Sequence, residues 1–206
     1  MDELFVTTVV TSWKQIVNRL DERFARLDDE QLQKQIAPNK NRLFYLLGHL
    51  TAVHDRMLPL LGIGKRLHPD LDEAYLTNPD QTFSDPLSAA DLKKAWSEVN
   101  AAITLAVEKF SVDDWLKKHT AVSDEDFSKD PTRNRLAVFL NRTNHASFHT
   151  GQIALAKWFR NVASRSRAYL LWICKAERLK RTDRNELQPK EDVSQQGGSA
   201  WTVALV

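Results

Sequence analysis

The amino-acid sequence predicts an all-α fold arranged as a four-helix bundle, and three observations support this class. Four stretches of about 20 to 25 residues repeat apolar residues at steps of three or four, which is the period of an amphipathic helix. No stretch shows a convincing strand-like alternation of apolar and polar residues, and no internal repeat is present. Because each helix has one apolar face to bury, we expect the four to pack together as a bundle.

The first two predicted helices lie in the N-terminal part of the chain. The second covers about residues 42–61, with Pro38 and Asn39 before it and Gly62 and Gly64 after it, which are typical start and stop residues. The first has one continuous apolar stripe, formed by Phe5, Val9, Trp13, Ile16, Leu20, Phe24 and Leu27.

The third and fourth predicted helices follow a long polar connection over residues 68–85. The third covers about residues 88–110, with Ser88 as its N-cap and the acidic Asp91 near its N-terminus. A brief helical turn is predicted over residues 111–116. The fourth helix begins after Pro131-Thr132 and continues to about Phe159.

The sequence changes character after about residue 160. We therefore divide the chain into a helical domain over residues 1–160 and a C-terminal extension over residues 161–206. The extension is basic at first, with a fifth helix predicted over about residues 163–180, and then becomes polar, as in disordered segments.

Composition and charge exclude several classes of protein. The formal net charge of +2 is too small for a typical nucleic-acid-binding domain, so we do not expect nucleic acid as a partner. Cys174 is the only cysteine, which excludes an intramolecular disulfide and a cysteine-based zinc cluster. The acidic N-terminus does not resemble a secretory signal, and the longest apolar run, residues 168–174, is too short to cross a membrane. These features predict a cytoplasmic protein without a membrane partner.

Three histidines form the pattern that carries chemistry. His145 and His149 are four residues apart, so on a helix their rings lie one turn apart on the same face, which Gln152 shares. Taken alone, the pair is better explained as two unrelated histidines, one on the surface and one in the core. His49, however, lies in the middle of an apolar helix, and helical bundles assemble metal sites from facing helices. We therefore expect His49, His145 and His149 to bind one divalent metal ion.

Other polar residues near this pattern have two interpretations each. Gln152 and Arg142 are the candidate catalytic residues: Gln152 for hydrogen bonding near the metal and Arg142 for an anionic cofactor, although both also suit a plain surface role. Asn141 is a candidate to orient the ring of His145. We expect His54 to point away from the face of His49. Two further histidines, in polar segments, are expected to be exposed, namely His68 and His119.

The segment Asn144-His145-xxx-His149-xx-Gln152-Ile153, together with Gly48-His49-Leu50, resembles the signature of the DinB/YfiT-like superfamily. The resemblance covers roughly residues 1–160; the extension and the connection over residues 68–85 have no assigned counterpart. The resemblance implies an up-down-down-up four-helix bundle, a metal held by the three histidines, and a homodimer.

Three imidazole ligands would leave coordination positions open, as catalytic metal sites do. Such an ion can acidify water for hydrolysis or deprotonate a thiol for group transfer. The resemblance implies a low-molecular-weight thiol as cofactor and an S-transferase or isomerase activity with a small-molecule substrate, ahead of a hydrolase. Zinc is the first expectation and nickel the second. A non-catalytic metal-binding or stress-response module with the same fold is the alternative.

Overall fold

The structure of the protein is a computed structural model that describes residues 2–156, and every regular element in this range is helical. Two isolated bridge pairs are the only extended pairings there. The all-α prediction is therefore confirmed, while the predicted fifth helix and the extension lie outside the described residues. The helices are α1 (Asp2–Ala25), α2 (Asp29–Leu32), α3 (Leu43–Asp55), α4 (Met57–Leu60), α5 (Ala89–Val107), α6 (Val112–Leu116) and α7 (Asp124–Lys129), a π-helix (Glu73–Thr77) before α5, and α8 over residues 135–156.

The ends of the long helices follow from local hydrogen bonding. The Ser88 side chain accepts a hydrogen bond from the Asp91 backbone N–H at the start of α5, as predicted. The Asn134 side chain accepts one from the Ala137 N–H, and α8 begins there. Gly62 ends α4 with a φ of 67°, a left-handed conformation that favours glycine. Ser88 and Gly62, which the sequence indicated, therefore mark the start of α5 and the end of α4 correctly.

The second predicted helix is divided in the structure. Instead of one helix over residues 42–61, α3 ends at Asp55 and α4 begins at Met57. Pro59 explains the break, because proline has no N–H to donate to the carbonyl of Asp55 and its ring collides with that carbonyl in a regular helix.

The stripe predicted for α1 is partly wrong. Val10 and Val17 are buried, whereas Val9 and Ile16 are only half-buried and Phe5 is exposed. In this part of the helix, the face of α1 that packs against α5 is therefore centred one residue later than the predicted stripe. Four of the predicted residues are nevertheless buried, namely Trp13, Leu20, Phe24 and Leu27.

Trp13 joins four helices in the centre of the core. Its ring, which is fully buried, lies 4.8 Å from the His54 ring of α3 and 5.0 Å from the Phe139 ring of α8. Its indole Nε1–H donates to Thr104 Oγ1 of α5 at 3.3 Å. Phe139 in turn lies 4.8 Å from the ring of Trp115 in α6. Since a tryptophan ring buries a large apolar area, these contacts fix α3 and α8 on the same side of α1.

The connection over residues 68–85, which was predicted only as a long polar segment, has a buried helical turn. It contains the π-helix, and Tyr75 of this turn is fully buried against α3. Arg42, just before α3, holds the far end of the connection through ion pairs with Asp80 at 2.7 Å and Asp85 at 3.0 Å. Arg42 and Asp80 are largely buried, so this pair is weakly screened by solvent. The connection is thus tied to α3 at its middle and near its far end.

The described part of the chain contains no helix with the length and apolar character that a membrane crossing requires.

His54 is a core histidine and not a ligand. It is fully buried between the rings of Trp13 and Trp96, and its Nδ1–H donates to Asn100 Oδ1 at 2.8 Å. Asn100 donates its own amide group to the Trp96 carbonyl, so its oxygen is left to accept from His54. Burial lowers the pKa of His54 from 6.5 to about 3, so the ring is neutral in the folded protein.

This pKa shift predicts a loss of stability in mild acid. Below pH 6.5 the unfolded chain takes up a proton at His54 and the folded chain does not, so the free energy of unfolding falls as the pH decreases toward 3. In the variant His54→Gln this contribution is absent. The difference in unfolding free energy between wild type and variant should shrink by about 2 kcal/mol between pH 7.5 and pH 5.

Urea denaturation at the two pH values measures this difference. The variant His68→Gln serves as control, because His68 lies outside the core cluster. A difference between wild type and His54→Gln that is equal at both pH values would contradict the prediction.

Candidate metal centre

Helices α3 and α8 bring three imidazole rings to one point. His49 lies on α3, and His145 and His149 lie on α8 one turn apart. The Nε2 atom of His145 is 3.2 Å from that of His49 and 3.0 Å from that of His149. One ligand atom from each of the three rings lies within 4.8 Å of the others. The structure thus brings together the three histidines that the sequence singled out.

Hydrogen bonds on the far side of two rings fix their tautomers. His49 Nδ1 is 3.0 Å from the Tyr75 carbonyl oxygen, which can only accept, so the proton of this ring is on Nδ1. His149 Nδ1 is 2.8 Å from Gln152 Oε1, which also accepts. Both rings therefore direct an Nε2 lone pair toward His145. Metal-binding histidines commonly donate their other N–H in this way.

The centre of the cluster has more acceptors than protons. Two Nε2 lone pairs meet there, and one proton on His145 Nε2 would satisfy them only partly. Burial lowers the pKa of His145 to about 4, with the neighbouring His149 and His49 adding to the effect. Burial likewise lowers the pKa values of His49 and His149. Three neutral imidazoles with converging lone pairs are a donor set that fits a divalent cation.

Gly48 explains how Tyr75 reaches His49. A Cβ atom on residue 48 would lie 2.6 Å from the Tyr75 ring, a distance that no real contact allows. Glycine therefore lets the ring lie directly on α3, and the Tyr75 carbonyl then meets His49 Nδ1. The Tyr75 hydroxyl donates to Asp85 at 3.3 Å, which holds the ring from its other end. The sequence contained a signal for this contact, because a glycine inside an apolar helix weakens the helix and often marks a close approach.

The remaining candidate residues, Gln152, Asn141 and Arg142, lie on α8 with two of the histidines. Gln152 orients His149 through its side-chain oxygen, and no bond to a substrate is needed to explain its position. Asn141 does not orient His145: its oxygen accepts from Arg142 at 3.5 Å, and His145 Nδ1 has no protein partner in the described range. The prediction for Asn141 was wrong because its side chain contacts the guanidinium of Arg142 and not the ring of His145. Arg142 is half-buried near the cluster.

The other histidines stay out of the cluster. His54 points away from His49, as predicted, and is enclosed by the core. His68 and His119 were expected to be exposed, but both are partly buried, and His68 Nε2 lies 3.4 Å from Glu98. The segment of His119 hydrogen-bonds back to the end of α4 through the Thr120 N–H, which explains its burial.

Known proteins share sequence or fold with this chain. The family model described as the DinB superfamily matches residues 12–153, a range that includes all three histidines. A solved structure, the crystal structure of the conserved protein of locus from Enterococcus faecalis, superimposes with a TM-score of 0.51 at 16% sequence identity. The match covers 73% of this chain and 93% of that chain, and it shows a shared fold. No curated protein matches the chain.

The variant Gly48→Ala tests the support of His49 by Tyr75. The added methyl group must displace the Tyr75 ring, so we expect a stability loss of about 1–3 kcal/mol from overpacking. Since the ring and its carbonyl move together, His49 loses its acceptor, and zinc affinity should fall about tenfold. Denaturation and competitive zinc titration measure the two effects.

Gly151→Ala is the matched control. An added Cβ at residue 151 of α8 meets no atom within 4 Å, so stability should not decrease and zinc affinity should not change. Wild-type zinc affinity in Gly48→Ala would show that the Tyr75 carbonyl is not needed to hold His49.

Proposed function

The chain belongs to the DinB superfamily, and from this membership we propose that it is a metal-dependent enzyme that binds one divalent ion through His49, His145 and His149. One observation carries the proposal: three neutral imidazoles direct their Nε2 atoms to one point, and two of them are held by hydrogen bonds from behind. Without a cation, one proton on His145 Nε2 satisfies the lone pairs of His49 and His149 only partly, whereas a divalent ion can use the Nε2 atoms of all three rings.

The composition of the cluster supports a catalytic and not a structural ion. Within residues 2–156, the group of potential ligands contains three histidines and no fourth ligand, neither a cysteine nor a carboxylate. Structural zinc sites use four protein ligands, whereas catalytic sites use three and keep a position open. An open position is where a small-molecule substrate would bind.

A divalent ion bound here would act as a Lewis acid that lowers the pKa of a thiol or a water molecule. The residues of the chain would orient the ligands. Tyr75 and Gln152 hold the rings of His49 and His149 in place, and burial keeps these rings neutral. We place a thiol-dependent S-transferase ahead of a hydrolase. Hydrolysis requires a general base for the attacking water, and the histidine cluster has no carboxylate beside it in the described range.

We propose zinc as the ion and nickel as the next choice. Imidazole nitrogen suits both metals, and the selection between them depends on geometry and supply. A low-molecular-weight thiol is the proposed cofactor.

The second candidate function is a metal-binding or stress-response module without turnover. The same absence of a carboxylate from the described cluster favours it, because no carboxylate of the cluster can then act as a catalytic acid or base. Turnover, and not metal content, separates the two candidates.

We further infer that the long helices α1, α3, α5 and α8 form an up-down-down-up bundle and that the protein is a homodimer, as its family membership implies. Three apolar side chains on α8 are exposed and support a subunit contact, namely Leu140, Phe148 and Leu155. A cytoplasmic location stays a prediction.

Metal analysis tests the proposed site. Untagged protein should contain about one equivalent of zinc or nickel, and each of the variants His49→Ala, His145→Ala and His149→Ala should contain less than about a tenth of that. Elemental analysis by mass spectrometry measures the content, with His68→Ala as control because His68 lies outside the cluster. Equal, substoichiometric metal in all five proteins would reject the site.

Turnover distinguishes the enzyme from the binding module. We expect the zinc-loaded protein to join a small thiol to an electrophile such as 1-chloro-2,4-dinitrobenzene faster than it hydrolyses p-nitrophenyl esters. In His49→Ala the rate should fall at least about 100-fold, because the ion is no longer held. Absorbance assays measure both reactions. A wild-type rate equal to that of His49→Ala with every thiol and ester would favour the module.

A further inference from the structure

A cleft of about 370 Å³ opens beside the first turns of α8. The residues that line it include Arg142, Arg133 and His119, together with the apolar Leu60 and Val138. A volume of this size is in the range of small-molecule sites, which are about 300–1,000 Å³. The cleft therefore suits a small ligand with one polar and one apolar part.

The charge of the cleft favours an anion. Among the described residues, its lining contains two arginines and a histidine and no aspartate or glutamate. Arg142 makes no ion pair with any of the described residues, and its Nε, although buried, has no hydrogen-bond partner there. Arg133 has one weak pair, with Asp126 at 3.8 Å, on the exposed side. A half-buried arginine without a carboxylate is costly, and an anionic ligand would supply the missing partner.

Arg142 also lies close to the histidine cluster. It precedes His145 by three residues on α8, which corresponds to about 4.5 Å along the helix axis and nearly the same face. Its positive charge contributes to the lowered pKa values of His49 and His145. None of the three histidines lines the cleft, so Arg142, about one helical turn from His145, is the residue that connects the cleft with the cluster.

We propose that this cleft binds the carboxylate of the small thiol or substrate used at the histidine cluster, through the guanidinium of Arg142. The proposal rests on the proposed function for the reaction, but the carboxylate site itself exists without the metal. The planar guanidinium matches a carboxylate with two parallel hydrogen bonds, while Leu60 and Val138 contact the carbon chain. Specificity for anionic thiols over neutral ones follows.

A pair of matched thiols tests the proposal. 3-Mercaptopropionate and 3-mercaptopropan-1-ol have the same carbon chain and differ in the carboxylate. In NMR titrations of the metal-free full-length protein, the carboxylate should shift amide signals of residues 132–142 with an affinity at least about tenfold higher than the alcohol. Equal affinities for the two compounds would overturn the proposal.

Arg142→Gln provides the second arm. It should weaken binding of 3-mercaptopropionate about tenfold and leave binding of the alcohol unchanged. The affinity of Arg142→Lys for 3-mercaptopropionate should lie between those of wild type and Arg142→Gln, because lysine keeps the charge but lacks the planar guanidinium. Arg26→Gln, an exposed arginine on the turn after α1, should bind as wild type does. Unchanged carboxylate affinity in folded Arg142→Gln would also overturn the proposal.

The same titration with zinc present separates this proposal from the metal site. If zinc binds and raises the affinity for 3-mercaptopropionate, both proposals are supported. If the protein binds no zinc but the carboxylate still depends on Arg142, the metal site fails and the anion site stands. If zinc binds and the two thiols bind equally in the metal-free and zinc-loaded protein, the anion site alone fails.

Discussion

The hydrogen bond between His49 Nδ1 and the Tyr75 carbonyl is the interaction on which the candidate site depends. It fixes the tautomer of His49, and so it decides that a lone pair and not a proton points at the other two rings. Tyr75 can make this bond only because residue 48 has no side chain. The ion pairs of Arg42 with the connection and the bond between Tyr75 and Asp85 then keep the π-helix against α3.

The core and the site use histidine in opposite ways. His54 and His49 are five residues apart on the same helix, and burial keeps both neutral. His54 lies between two tryptophan rings and donates its Nδ1–H to Asn100 inside the core, so its role is structural. His49 faces two further imidazoles, so its lone pair is available to a cation. Residues five positions apart lie on different faces of a helix, and this period alone separates the two roles.

Much of the helical pattern followed from the sequence because caps and periodicity are local. Ser88 marked the start of α5 and Gly62 the end of α4, since each satisfies a requirement of the adjacent backbone. One error arose where a contact with a distant part of the chain decides the local structure. The π-helix looked like part of a polar loop, because the burial of Tyr75 depends on α3 and Arg42. The break at Arg56 was missed although Pro59 is a local signal.

The sequence by itself determined the helical class and the spacing of His145 and His149, because a four-residue step places two rings on one helical face whatever surrounds them. It also indicated His49 as the third partner. Only the tertiary structure decided that the three Nε2 atoms meet and that Arg142 lines a cleft. It also decided that Tyr75 and Gln152, and not Asn141, orient the rings. These features depend on packing between α3, the connection and α8, and packing between distant segments leaves no periodic trace in the chain.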